Sequence, residues 1–218
     1  MDENPYSGGG GGGLPPGYTQ LDYVESSGTQ IIDTGLSLTI DTRIEIACYF
    51  LAGTYGAYLH TTGSHDPSAY IMASNNQNAG DNRYWGFGSR SDFAHFGYNV
   101  PTGDDAYTEN CAPHAILDKN GATIVQLGYA SRWGGIGTAP TLTPSSEHIG
   151  IFGLFDGTTP FRCSPLRFFR ERIWDGTTLL RDFVPAMENS TQEIGLFDIV
   201  NDVFYRNQGT GVFVGGTV

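Results

Sequence analysis

Positive charge is scarce in this chain. Lys119 is the only lysine among 218 residues, and lysine and arginine together number 11 against 23 aspartates and glutamates, a formal net charge of −12. Such a surface repels a phosphate backbone, so nucleic acid is excluded as a partner. The Glu/Lys-laced faces that exposed amphipathic helices rely on are also missing, which excludes a helical bundle. No apolar run approaches the roughly 18 residues of a membrane span, so no membrane insertion is expected. The opening MDENPYS has neither a basic stretch nor an apolar core, and no export signal is expected from it. Cys48, Cys111 and Cys163 are odd in number and widely spaced. That argues against a disulfide framework or a Cys-x-x-Cys metal knuckle, and for buried thiols.

Glycine, by contrast, is abundant at 31 residues, while charged residues make up only 16% of the chain. The length suits one all-β domain built of short strands and tight turns. Gly8 to Gly13 form an uninterrupted hexaglycine, which has no side chains to pack and reads as a flexible tether. Leu14-Pro15-Pro16-Gly17 ends it, because two prolines fix φ and the glycine permits a turn. Residues 1–13 are therefore read as an N-terminal anchoring peptide with its tether, and 14–218 as the domain. Ordering such a tail costs roughly 1 to 2 kcal/mol per residue, so fixed contacts for it are expected to come from an assembly partner.

Beyond Tyr18 the prevailing period is two. In Arg43 to Phe50, the residues Ile44, Ile46, Cys48 and Phe50 fall on one face and Arg43, Glu45 and Tyr49 on the other, the mark of a half-buried strand. Lys119-Asn120-Gly121 between two apolar runs predicts a hairpin across 115–127. A second hairpin is predicted where Gly195 to Val200 turns at Asn201-Asp202 into Val203-Phe204-Tyr205. Further strands are expected at 19–25, 29–33, 56–60, 69–73, 83–88, 148–155, 166–174, 178–184 and 211–214. Turn residues recur about every eight to twelve positions, the rhythm of a sandwich or barrel.

Two segments carry a resemblance. LPPGYTQLDYVESSGTQIIDTG, residues 14–35, resembles the start of the concanavalin A-like (laminin-G-like) jelly-roll modules found in phage tail and capsid proteins and in surface proteins of gut bacteria. RFFRERIWDGTTLLRDFVPA at 167–186 and GLFDIVNDVFYRNQGTGVF at 195–213 are similar to the end of such modules. The middle, from about 51 to 165, matches only in strand rhythm. The resemblance implies an all-β concanavalin A-like β-sandwich of two antiparallel sheets. Within the matched segments Gly28, Gly35, Gly176, Gly195, Gly209 and Gly211 read as turn positions, and Asp33, Asp175 and Asp198 as acceptors for turn amides.

Catalysis finds little to work with. Glucanases of this fold set two carboxylates on one strand face at E-x-D-x-x-E spacing, about 5 to 5.5 Å apart for retention. The strands around Glu45 and Glu171 each offer one, and Glu171, between Arg170 and Arg172, reads as ion-paired. No G-x-S-x-G occurs, and Ser64-His65-Asp66 side by side is a loop rather than a triad. His60, His65, His95, His114 and His148 form no zinc pattern. The chain is therefore read as a non-enzyme with no cofactor. The resemblance implies calcium as the metal to consider, since laminin-G-like and lectin modules use loop carboxylates and carbonyls as ligands, with Asp81, Asp104, Asp105 and Asp156 as the loop candidates here. Arg162, Arg167, Arg170 and Arg172 are assigned to the protein's own excess of carboxylates.

Glycan recognition is the chemistry best supplied. Sugars present apolar C–H faces and hydroxyls, which call for rings beside amides and guanidinium groups. Asn82, Tyr84 and Trp85 offer these in one segment, and Arg132 and Trp133 in a glycine-rich second one; the competing use of either tryptophan is as a core or inter-subunit anchor. The expected partners are host-surface or mucus glycans and, through residues 1–13, virion capsid or tail subunits, with a homo-oligomer left open. Two rivals stand beside this virion-displayed binding module: a decoration protein that binds no sugar, and an adhesin domain of a bacterial cell surface or extracellular protein.

Overall fold

The computed structural model describes residues 13–37, 39–50, 148–156, 159–161 and 163–216, together with the strands at 70–75, 82–88, 93–99, 114–118 and 126–127. The described residues are all β, without a helix. Strands β1 (Tyr18–Gln20), β2 (Tyr23–Ser27), β3 (Ile32–Ser37) and β4 (Thr42–Phe50) come first. β5 (Tyr70–Asn75), β6 (Asn82–Gly88), β7 (Phe93–Asn99), β8 (His114–Asp118) and β9 (Gln126–Leu127) follow. β10 (His148–Ile151), β11 (Leu154–Asp156) and β12 (Thr159–Phe161) lead to the long pair β13 (Pro165–Asp175) and β14 (Thr178–Glu188). The chain finishes with β15 (Glu193–Asp198), β16 (Val203–Tyr205) and β17 (Val214–Gly216).

Ten of these strands form one strongly curled antiparallel sheet, ordered β16-β15-β14-β13-β4-β8-β9 with β1, β2 and β17 off that path. The β13–β14 hairpin turns in two residues, Gly176 and Thr177, with Gly176 at φ +56°, a value that costs glycine nothing. From that turn the two strands pair as far as Glu171 and Phe183, then part. β1 enters the fork along β14 (Tyr18↔Glu188), the chain bends at Leu21-Asp22, and β2 leaves along β13 (Val24↔Phe168). The single strand expected at 19–25 is thus two, because its halves pair with different partners. Leu21 is buried at the bend, its N–H donating to the Pro185 carbonyl.

The core lies where both arms of the fork contribute. Ile44, Ile46 and Cys48 of β4 are fully buried, as their alternation predicted, beside Leu166 and Phe168 of β13, Phe183 of β14 and Leu196 of β15. Each such aliphatic side chain contributes roughly 1.5 to 3 kcal/mol by leaving water. Phe152, held between Phe168 and Phe213 at ring-centroid distances of 5.6 and 4.8 Å, closes the cluster. A smaller cluster sits on the other side of β14, where Leu14 and Tyr18 pack with Val184, Ala186, Phe197 and Phe204.

The segments that carried the resemblance interlock. Gln30 is buried and its Oε1 accepts from Ser26 Oγ (2.9 Å) and Ser27 N (2.8 Å), while its Nε2 donates to the Val212 carbonyl (2.9 Å). Asn207 Oδ1 accepts from the Ile31 and Gly209 amides, and Thr210 N donates to the Thr29 carbonyl. Gly28, Gly35, Gly176 and Gly211 take positive φ, as turn positions should. Gly195 is a correction: it lies within β15, where a Cβ would overlap the Tyr205 carbonyl oxygen, so the demand there is close approach of strands. Gly209 faces the same demand from the Thr29 carbonyl. Asp33 accepts the Gly35 amide and Asp198 the Val200 amide, but Asp175 accepts the Thr39 hydroxyl.

The predicted Asn201-Asp202 hairpin forms between β15 and β16, with Asp198↔Val203 in register. β8 and β9 pair antiparallel, Ala115 against Gln126, as arms of the other predicted hairpin; its Asn120-Gly121 turn lies outside the described residues. So do the strand expected at 56–60, residues 1–12 and Cys111.

Candidate recognition sheet

Asn82, Tyr84 and Trp85 fall on β6, the central strand of a three-stranded antiparallel sheet ordered β5-β6-β7. Aromatic residues and short polar ones alternate with glycine here, and the aromatics favour a pleated surface. The register is unbroken. Ser74, Tyr84 and Gly97 share one cross-strand row, Ala73, Trp85 and Phe96 the next, and Asn82 stands opposite Asn99. Because successive strand positions belong to opposite faces, Asn82 and Tyr84 share a face and Trp85 belongs to the other. Sequence reasoning expected the strand, at 83–88, but took the three as one group without dividing them between its faces. It also passed over β7, whose FAHFGYN mixes rings into both alternating sets and so hides its period.

Arg132, Trp133, Asp81, Asp104 and Asp105 lie outside the described residues. Asp156 ends β11 opposite Thr159 of β12. Among the described residues no group of three or more His, Cys, Asp or Glu side chains is arranged to hold a metal, and no helix is long and apolar enough to cross a membrane.

Arg167, Arg170 and Arg172 meet the protein's own carboxylates, as expected; Arg162 lies outside the described residues. Arg167 reaches Glu25 with Nε at 3.0 Å and stacks on Tyr23, its guanidinium carbon 4.0 Å from the ring centroid. Arg170 grips Asp182 with both prongs, Nε to Oδ1 at 2.8 Å and Nη2 to Oδ2 at 2.7 Å. That bond, more than any other influence, raises the Arg170 pKa further. Arg172 lies between Glu45 and Asp182, 3.5 Å from each, and Arg206 bridges Glu188 and Glu193. A register shift between Phe168 and Arg170 is what lets Arg167 and Arg170, three residues apart, share the outer side. Glu171 lies on the inner side, fully buried, across the sheet from the two arginines that flank it in sequence.

Asp198 organises the far end of the hairpin. Fully buried, it accepts from the amides of Asp182 (3.1 Å) and Val200 (3.0 Å) and from Asn201 Nδ2 (2.7 Å), with Arg181 Nε at 3.4 Å. His148 Nδ1 sits 2.9 Å from Asp33 Oδ2 on the β10–β3 ribbon, an exposed pair. These groups stitch strands together, and the arrangement leaves ring and amide chemistry to β5–β7. Comparison with family models, with curated proteins and with solved structures finds no match to this chain.

Proposed function

We propose that this chain is a non-enzymatic recognition module that binds host-surface or mucus glycans from a virion capsid or tail, to which residues 1–13 attach it. The proposal includes the fold: a concanavalin A-like sandwich in which the two arms of the fork close as facing sheets. The shared core of β2, β4 and β13 with β14 and β15 supports that closure. The observation that carries the function is the gathering of Asn82, Tyr84 and Trp85 with the rings of β7 on one small sheet. The ion pairs of Arg167, Arg170, Arg172 and Arg206 favour a ligand recognised by stacking and hydrogen bonds over one held by charge. The test is a glycan array probed with the full chain. Retention of defined oligosaccharides is expected, and silence across neutral and acidic glycans would refute the proposal.

A specific feature favours the second reading, a decoration protein packed against neighbours. Val212 is 78% exposed and Val214 58% exposed on and beside β17, and Val203 is 43% exposed on β16; among the described residues β17 pairs only with β2 and β16 only with β15. Exposed valines on sheet edges invite a partner strand. Sedimentation of the wild type against a Val212→Glu, Val214→Glu variant tests it, with loss of self-association expected under that reading.

A further inference from the structure

We infer that the polar and aromatic face of the β5–β6–β7 sheet, centred on Tyr84, is the ligand face and takes an uncharged pyranose glycan, with Trp85 on the packing face. This rests on the glycan-binding proposal and makes it narrower.

The register divides the sheet's residues into two unlike sets. One face carries Ile71, Ala73, Trp85, Phe87, Ala94 and Phe96, with Asn75, Arg83 and Tyr98 in one row at its end. The other carries Tyr70, Met72, Ser74, Asn82, Tyr84, Phe93, His95 and Asn99, with glycine at 86, 88 and 97. A sheet with two unlike faces turns the more apolar one to its core, so binary patterning assigns packing to the Trp85 face, whose polar residues are gathered in one end row. The mixed face has what a sugar requires. Rings suit the C–H surface of a pyranose, and amides and an imidazole supply donors and acceptors for its hydroxyls. Glycine at 86 and 88 leaves the second half of β6 bare on this face, a position at which a ligand approaches backbone closely. Across this strip β5 and β7 are roughly 10 Å apart, twice the strand spacing.

The same face sets the ligand's charge. None of its register positions holds Asp, Glu, Lys or Arg. A sialylated or sulfated glycan is recognised by guanidinium or ammonium groups that form charge-assisted bonds. The face provides none, and an uncharged glycan needs none.

The experiment uses the full chain on an array of neutral, sialylated and sulfated oligosaccharides, followed by titration of the best neutral probe against Tyr84→Ala, Asn99→Ala and Trp85→Phe. Thermal melts of each variant are recorded in parallel. Expected are binding to neutral probes, a loss of about five- to a hundredfold in affinity for Tyr84→Ala and Asn99→Ala at an unchanged melting temperature, and affinity within about twofold for Trp85→Phe. Should Trp85→Phe remain folded and lose the probe while Tyr84→Ala and Asn99→Ala keep it, the face is assigned wrongly although the glycan function stands. Capture of acidic probes alone likewise overturns the inference and leaves that function standing. Failure of the wild type to bind any probe overturns the function itself.

Discussion

Replacing Asp198 by alanine should unlock one arm of the fork. The carboxylate stands where the β14–β15 ladder ends, at the Phe183↔Asp198 pair: Ile199 N still donates to the Asp182 carbonyl, while Asp182 N donates to Asp198 Oδ1 instead of to backbone. Without it, that buried amide is stranded, at a cost of about 1 to 3 kcal/mol. The charged bonds to Asn201 and the pairing with Arg181 add a further 1.5 to 3 kcal/mol or so, although Arg181 keeps the Leu180 and Thr34 carbonyls as acceptors. The sum, about 2.5 to 6 kcal/mol, corresponds to a fall in melting temperature of about 5 to 24 °C for a domain of this size. Calorimetry on the variant reads it directly. Asn201→Ala is the control: its side chain is exposed and loses only the bonds to Asp198 and the Leu180 carbonyl, so a fall of about 2 to 4 °C is expected. A shift under about 1 °C for Asp198→Ala would refute the assignment of the carboxylate as a structural acceptor.

Three further outcomes are expected. Gln30→Ala removes the acceptor of Ser26 and Ser27 and the donor to Val212, so stability should drop by about 2 to 4 kcal/mol in urea melts and proteolysis at Gly209 to Gly211 should accelerate. Gly195→Ala places a methyl group against the Tyr205 carbonyl and the Phe204 ring, and should cost about 1 to 3 kcal/mol with amide exchange quickened at Val203 to Tyr205. Burial, with the nearby Glu171 charge second, holds the Cys48 thiol well above its ordinary pKa of 9.0, so native protein should resist thiol reagents at this residue until it unfolds. Above pH 9 the unfolded thiol ionises and the folded one stays protonated. Stability should therefore decline as pH rises past 9, by up to about 1.4 kcal/mol per pH unit, and Cys48→Ala should remove that increment.

Much of the framework is legible in the sequence because its chemistry is local. Ile44, Ile46 and Cys48 alternate with charged residues over a strand that has one wet side, so period and burial agree. The Asn201-Asp202 turn announces itself by residues that tolerate positive φ, and Asp202 takes φ +55°. The fork is not legible, since nothing between Tyr18 and Ser27 marks Leu21-Asp22 as the bend; the two halves differ only in which distant strand they meet. Nor is the irregularity at Phe168–Arg170, which shifts the alternation and sends Glu171 to the inside while its neighbours stay out. At the candidate site, residue types pointed to sugar chemistry and the strand at 83–88 was legible, but grouping Tyr84 with Trp85 ignored its two faces. Sequence adjacency brings residues together in a loop and separates them on a strand.

Amide chemical-shift mapping of the full chain, titrated with the neutral oligosaccharide best retained on the array, tests the central claim most directly. Perturbations should cluster on Asn82 to Gly88 and Phe93 to Asn99, leaving the amides of the β13–β14 hairpin and of the Gln30–Asn207 interlock in place. Shifts confined instead to the valine-bearing edges at Val203 and at Val212 to Gly216, with β6 and β7 unmoved, would contradict it.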